Sequence, residues 1–96
     1  MAVRLTIRDR DGLPVTMSRK SWQHMLFGHP EMASLECVIV RTVKDPDVVV
    51  RSPQRARHPD GERRVACRFE PSLRPSRPYV YVPIEYSPAG NWIPSA

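Results

Sequence analysis

The hydrophobic period of this chain changes partway along, and that change limits the folds open to it. From Ser18 to Val43 the apolar residues recur at three and four positions, as Trp22, Met25 and Leu26 and then Met32, Leu35, Ile39 and Val43. Such spacing gathers them on one face of a helix. Beyond Val48 the alternation is every second residue: Val65, Cys67 and Phe69 share one side of Arg64 to Phe69, and Val80, Val82 and Ile84 oppose Tyr79 and Tyr81. That is the period of half-buried strands. Val3 to Arg8 alternates likewise, Asp9 to Gly12 supplies a turn, and Leu13 to Met17 is placed to pair back as a hairpin. The expected fold is α+β, with two N-terminal helices, after a short strand or hairpin, packed on one face of a mainly antiparallel sheet of about four strands. Asn91-Trp92-Ile93 is expected as a final edge strand.

Local signals place the helix ends. Ser18 can cap a first helix over Arg19 to Phe27, and Gly28 stands where helices commonly terminate. Pro30 biases His29 away from helical angles yet suits the first position of a second helix, where Glu31 favours the N-terminal dipole. The break matters because His24 and His29, five residues apart, would diverge by about 140° around a continuous helix. Lys44-Asp45-Pro46-Asp47 stops the second helix, whose β-branched Val38, Ile39, Val40 and Val43 lower its propensity. Eleven prolines fit short elements joined by stiff turns. A length of 96 residues is one domain's worth. Cys37 and Cys67 form neither a CxxC pair nor part of a Cys/His cluster, so no metal set is expected and both read as reduced, buried thiols.

Charge is segregated. Residues 51 to 77 hold eight arginines (Arg51, Arg55, Arg57, Arg63, Arg64, Arg68, Arg74 and Arg77) against Asp60, Glu62 and Glu70, while the remainder balances seven against seven. Arginine's planar fork suits phosphate and stacks on bases, so a polyanion is the natural partner. An arginine-rich composition that merely solvates the surface is the competing reading. No apolar run reaches membrane-span length, and Met1 to Arg10 lacks the uninterrupted apolar stretch of a signal peptide, which makes a cytoplasmic location the expectation.

The order Trp22-x-His24, His29-Pro30-Glu31-Met32, a helix ending near Asp45-Pro46-Asp47, strands at Val48 to Ser52 and Tyr79 to Ile84, and a closing Trp92-Ile93-Pro94-Ser95-Ala96 resembles small phage- and toxin-associated domains of the Barnase-EndoU-colicin-RelE-like nuclease superfamily. The resemblance covers residues 18 to 96, with 1 to 17 as an N-terminal strand or hairpin extension. It implies N-terminal helices on a four-stranded antiparallel sheet and RNA cleavage without metal or other cofactor. It also places His24 or His29 on the active-site side, Arg51, Arg68 and Ser95 being carried over by position alone. A toxin of this kind would have RNA as substrate and a cognate antitoxin or immunity protein as a second partner.

The residue inventory can be matched to that chemistry. Metal-independent RNA cleavage needs a base for the 2′-hydroxyl proton, an acid for the departing oxygen and a cation for the charge on the phosphate. His29, His24 and Glu31 are the candidate acids and bases. Arg51, Arg55, Arg57, Arg64 and Arg68 are the candidate phosphate ligands, and Tyr79 and Tyr81 the candidate stacking surfaces. Each also has a plain structural reading: His24 as a polar neighbour of Trp22, His29 as a helix cap, Glu31 as a dipole partner, His58 as the tip of an exposed turn, and the tyrosines as ordinary sheet aromatics. Trp22 and Trp92 read as core. Two functions follow, an endoribonuclease-like toxin or phage-derived effector, or a non-catalytic module that binds nucleic acid or protein.

Overall fold

A computed structural model describes residues 3–28, 36–71 and 78–94. The N-terminal alternation forms strands β1 (Val3–Arg8) and β2 (Pro14–Ser18), joined by a turn in which Gly12 takes a φ of 82° that side chains disfavour. Asp9 Oδ1 accepts the N–H groups of Asp11 and Leu13, at 2.9 and 2.8 Å, and so fixes the turn from within. Helix α1 (Arg19–Gly28) begins as expected: the Ser18 hydroxyl accepts the Ser21 N–H at 3.0 Å. Trp22 is buried and Met25 and Leu26 pack against the core, whereas Phe27 points outward.

Helix α2 (Glu36–Lys44) ends where the Lys44-Asp45-Pro46 stop requires. Its propensity handicap is offset by burial of Val38, Ile39, Thr42 and Val43, and by Glu36 in the first turn with Arg41 and Lys44 in the last. Thr42 stays satisfied inside the core by donating its hydroxyl to Val38 O at 2.7 Å. Pro30, Met32 and Leu35, which carry the start of the expected second helix, lie outside the described residues.

Four strands follow: β3 (Val48–Arg51), β4 (Glu62–Phe69), β5 (Tyr79–Ser87) and β6 (Gly90–Trp92). The sheet corrects the expectation of about four mainly antiparallel strands. It has six, in the order β1-β2-β6-β5-β4-β3, and it is mixed, since β6 runs parallel to β2. The N-terminal hairpin is therefore part of the sheet and no appendage, and β6 is an interior strand and no edge. Short-range pattern could not reveal this, because β6 is joined to β2 by residues 75 and 77 positions apart: the Thr16 hydroxyl donates to Asn91 O at 3.2 Å and Ile93 N–H donates to Thr16 O at 2.9 Å.

Both helices cover one face of this sheet. Helix α1 packs on β1 and β2, and α2 on β1, β4 and β5. Between them lies one core of Ile7, Val15, Met17, Trp22, Ile39, Val43, Ala66, Val82, Ile84 and Ile93. Trp92 is only half-buried. The two cysteines are free; Cys67 is buried, but Cys37 is exposed on α2, contrary to the expectation for both.

Candidate nucleic-acid interface

Strand alternation decides which of the sequence-predicted residues can act together. The register pairs Arg64 with Ile84, Ala66 with Val82 and Arg68 with Val80. Arg64, Ala66 and Arg68 thus share the helix-covered face with the core residues Val82 and Ile84. Arg63, Val65, Cys67 and Phe69 share the other face with Tyr79, Tyr81, Pro83 and Glu85. Arg64 and Arg68 consequently lie on the side of the sheet opposite Tyr79 and Tyr81, and the expected single basic and aromatic face is divided in two.

On the helix-covered face the arginines have carboxylate partners. Arg68 donates to Glu70 Oε1 at 2.9 Å and to Asp45 Oδ2 at 3.2 Å, and Arg41 reaches the same Glu70 oxygen at 3.0 Å. The hydrogen bond from Arg68, helped by a weaker one from Arg41, holds the Glu70 carboxyl below the usual carboxylate range against the upward push of burial. Arg64 donates to Glu62 Oε1 at 2.7 Å while its guanidinium lies 4.7 Å from the centre of the Tyr86 ring. The exposed Arg51 faces Glu62 at 3.5 Å. The Tyr86 hydroxyl donates to Asp9 Oδ2 at 2.7 Å, and burial together with that carboxylate holds the phenol well above its ordinary pKa. The recess between these groups, lined by Asp9, Val49, Arg64 and Tyr86, encloses about 10 Å³, room for one water and no nucleotide.

The other face is built differently at its two ends. Near β3 it carries a half-exposed aromatic row: Phe69 and Tyr79 have ring centres 5.3 Å apart, Tyr79 and Tyr81 6.3 Å, and the three are 49%, 52% and 64% exposed. Val48 and Val50 continue it at about half exposure. At the far end of β5 the 52–61 loop folds over the sheet and is tied to Glu85, whose side chain is fully buried. Glu85 accepts the Arg57 N–H at 2.9 Å, the His58 N–H at 3.4 Å and Arg63 Nε at 3.3 Å. Burial alone would push this carboxyl upward, but the Arg57 N–H, the Arg63 guanidinium and the His58 N–H outweigh it and hold the group below its ordinary value. Arg63 Nη1 also donates to Gln54 Oε1 at 2.9 Å, and Gly61 lets the loop approach so closely that a Cβ there would meet Tyr86 O at 2.9 Å. His58 is part of this turn, its Nδ1 accepting the Asp60 N–H at 3.1 Å. The side chains of Arg55 and Arg57 project from the loop into solvent, without a carboxylate partner among the described residues.

His24 sits on the exposed side of α1, over the β1–β2 end of the sheet. His29 and Glu31, and also Arg74, Arg77 and Ser95, lie outside the described residues. Three contributors were missed in the sequence. Phe69 shares a face with Val65 and Cys67, as its alternation predicts, but only the β4–β5 register sets it beside Tyr79. Glu85 and Arg63 form the buried clamp, for which the one available signal is an acid continuing the alternation of Tyr79, Tyr81 and Pro83. Comparisons with protein-family models, with curated proteins and with solved structures return no match.

Proposed function

We propose that this domain binds single-stranded RNA without cleaving it, on the open face of β4 and β5. The observation that carries the reading is the row Phe69–Tyr79–Tyr81, three neighbouring rings about half open to solvent on a sheet surface. A buried core gains nothing from rings left in this position, whereas unpaired bases stack on such platforms at about 1–3 kcal/mol per base. The formal charge of +5 supplies attraction to phosphate. The loop bearing Arg55 and Arg57 is anchored at Glu85, four residues along β5 from Tyr81 and so about 13 Å away, which sets cations along the path of a strand lying on the rings. Binding is favoured over catalysis because His24 belongs to a helix on the opposite face from the aromatic row, and His58, on the loop over the open face, is engaged within its own turn, where its Nδ1 accepts the Asp60 N–H at 3.1 Å.

The test is titration of a short unstructured RNA in chelator, with the oligonucleotide recovered and sized afterwards. The expected result is intact RNA and an affinity that falls as salt rises. Tyr81→Ala should weaken binding by about tenfold, in line with loss of one stacked base. Affinity indifferent to Tyr81→Ala overturns the platform, and cleavage abolished by His24→Ala overturns the non-catalytic assignment.

A further inference from the structure

The two edges of the sheet are protected unequally. The β1 edge is interrupted by a bulge between Val3 and Leu5 and carries Arg4, which is ion-paired to Glu36 at 2.6 Å and lies 4.9 Å from the Trp22 ring centre. Bulges and charges along an edge are the usual obstacles to further pairing. β3 has neither. Its four residues, Val-Val-Val-Arg, keep unbroken register with β4 from Val48↔Cys67 to Arg51↔Arg64. Ser52 N–H donates to Arg63 O at 2.9 Å, so the alternation turns the amides of Val48 and Val50 towards β4 and those of Val49 and Arg51 outwards. Val48 and Val50 stand about half exposed beside this ladder, which no strand among the described residues pairs on its outer side.

Charge selects the occupant. Asp47 precedes the strand and Arg51 closes it, an acid at the head and a base at the tail. A parallel neighbour of the same sequence would set like against like. An antiparallel one centred on Val49 sets Arg51 against Asp47 twice, by symmetry; Asp47 Oδ2 accepts the Phe69 N–H at 2.6 Å and its own N–H bonds Cys67 O at 2.8 Å, so this pairing is made by side chains, through Asp47 Oδ1. The Arg51 side chain is 80% exposed, and its contact with Glu62 is long at 3.5 Å, so it is available to a second carboxylate.

We propose that β3 pairs with β3 of a second copy of this chain, antiparallel about a twofold axis at Val49, so that two six-stranded sheets become one. In this register Val49 meets its own counterpart through outward-facing amides, and Val48 lies beside Val50 of the partner copy on the open face. Both exposed valines are then covered on one side. The twofold axis is perpendicular to the sheet and leaves both aromatic rows on the same side. The pairing does not depend on RNA binding, and either can fail while the other stands.

Sedimentation equilibrium of the full chain, without RNA, reads the association directly. The expected outcome is a reversible dimer, weakened about tenfold or more by Arg51→Asp, which places two acids opposite one another. A background carrying both Cys37→Ser and Cys67→Ala, the latter because Cys67 lies opposite Val48, permits a test of register: chains carrying Val48→Cys mixed with chains carrying Val50→Cys should form a disulfide-linked dimer on mild oxidation, and either variant alone should not. Circular dichroism confirms that each variant is folded before it is scored. A chain that stays monomeric at millimolar concentration overturns the proposal. So does a dimer indifferent to Arg51→Asp, or equal cross-linking in mixed and unmixed cysteine variants.

Discussion

The two faces of β4 and β5 use similar residues to opposite ends. On the helix side, Arg64, Arg68 and Tyr86 are engaged by Glu62, Glu70, Asp45 and Asp9 around an apolar core. On the open side, Phe69, Tyr79 and Tyr81 lean on one another and stand about half exposed. Arginine counted along a segment is therefore a poor measure of charge available to a ligand. Of the six described arginines between 51 and 68, four face carboxylates, and the other two, Arg55 and Arg57, lie on the clamped loop.

Substitutions can break this contrast in order of size. Ile84→Ala, fully buried on the helix side, should destabilise the fold by about 3 kcal/mol or more in urea denaturation; a change below 1 kcal/mol would mean that the helices do not cover that face as described. Glu85→Gln should come next, at about 2 kcal/mol, because Arg63 and two backbone N–H groups lose their charged acceptor. The sign with pH follows from its lowered folded-state pKa. Its contribution is complete above the ordinary carboxylate value of about 4.3 and disappears as pH falls through the lower folded value. Glu85→Gln should thus flatten the acid limb of the stability curve, and an unchanged limb would remove Glu85 from that role. Tyr86→Phe, which deletes the hydroxyl bond to Asp9, should cost about 1 kcal/mol. Smallest should be Phe69→Ser and Tyr81→Ser, within about 0.5 kcal/mol in stability while still impairing RNA binding; a large loss of stability would show that the rings are structural.

Local rules made much of this legible from the residues. Ser18 and Gly28 mark the two ends of α1, Asp45-Pro46 closes α2, and the alternations beginning at Val3, Arg64 and Tyr79 are strands. What failed was anything set by pairing between distant segments. The position of β6 depends on hydrogen bonds with β2, and its three residues look the same whether they border solvent or fill the middle of a sheet. The candidate site failed for the same reason. Alternation showed that Tyr79 and Tyr81 share a side, but not that Arg64 and Arg68 take the other, which needed the register of β4 against β5. The acid and base candidates are where least can be compared, since His29 and Glu31 fall outside the described residues.

The interior placement of β6 has a consequence for how the chain reaches its fold. Until residues 90 to 94 dock, the chain can hold both helices and the other five strands, yet β2 still lacks the neighbour on its inner side and Ile93 is absent from the core. Thr16 O then has no donor from Ile93, and Val15 and Met17, both fully buried in the finished molecule, border an unfilled gap. Closure waits for a contact among the longest in sequence separation, which slows folding and prolongs the life of an open strand edge. A chain cut before residue 90 should therefore be aggregation-prone, and a synthetic peptide spanning 90–94 supplied in trans is the natural way to rescue it.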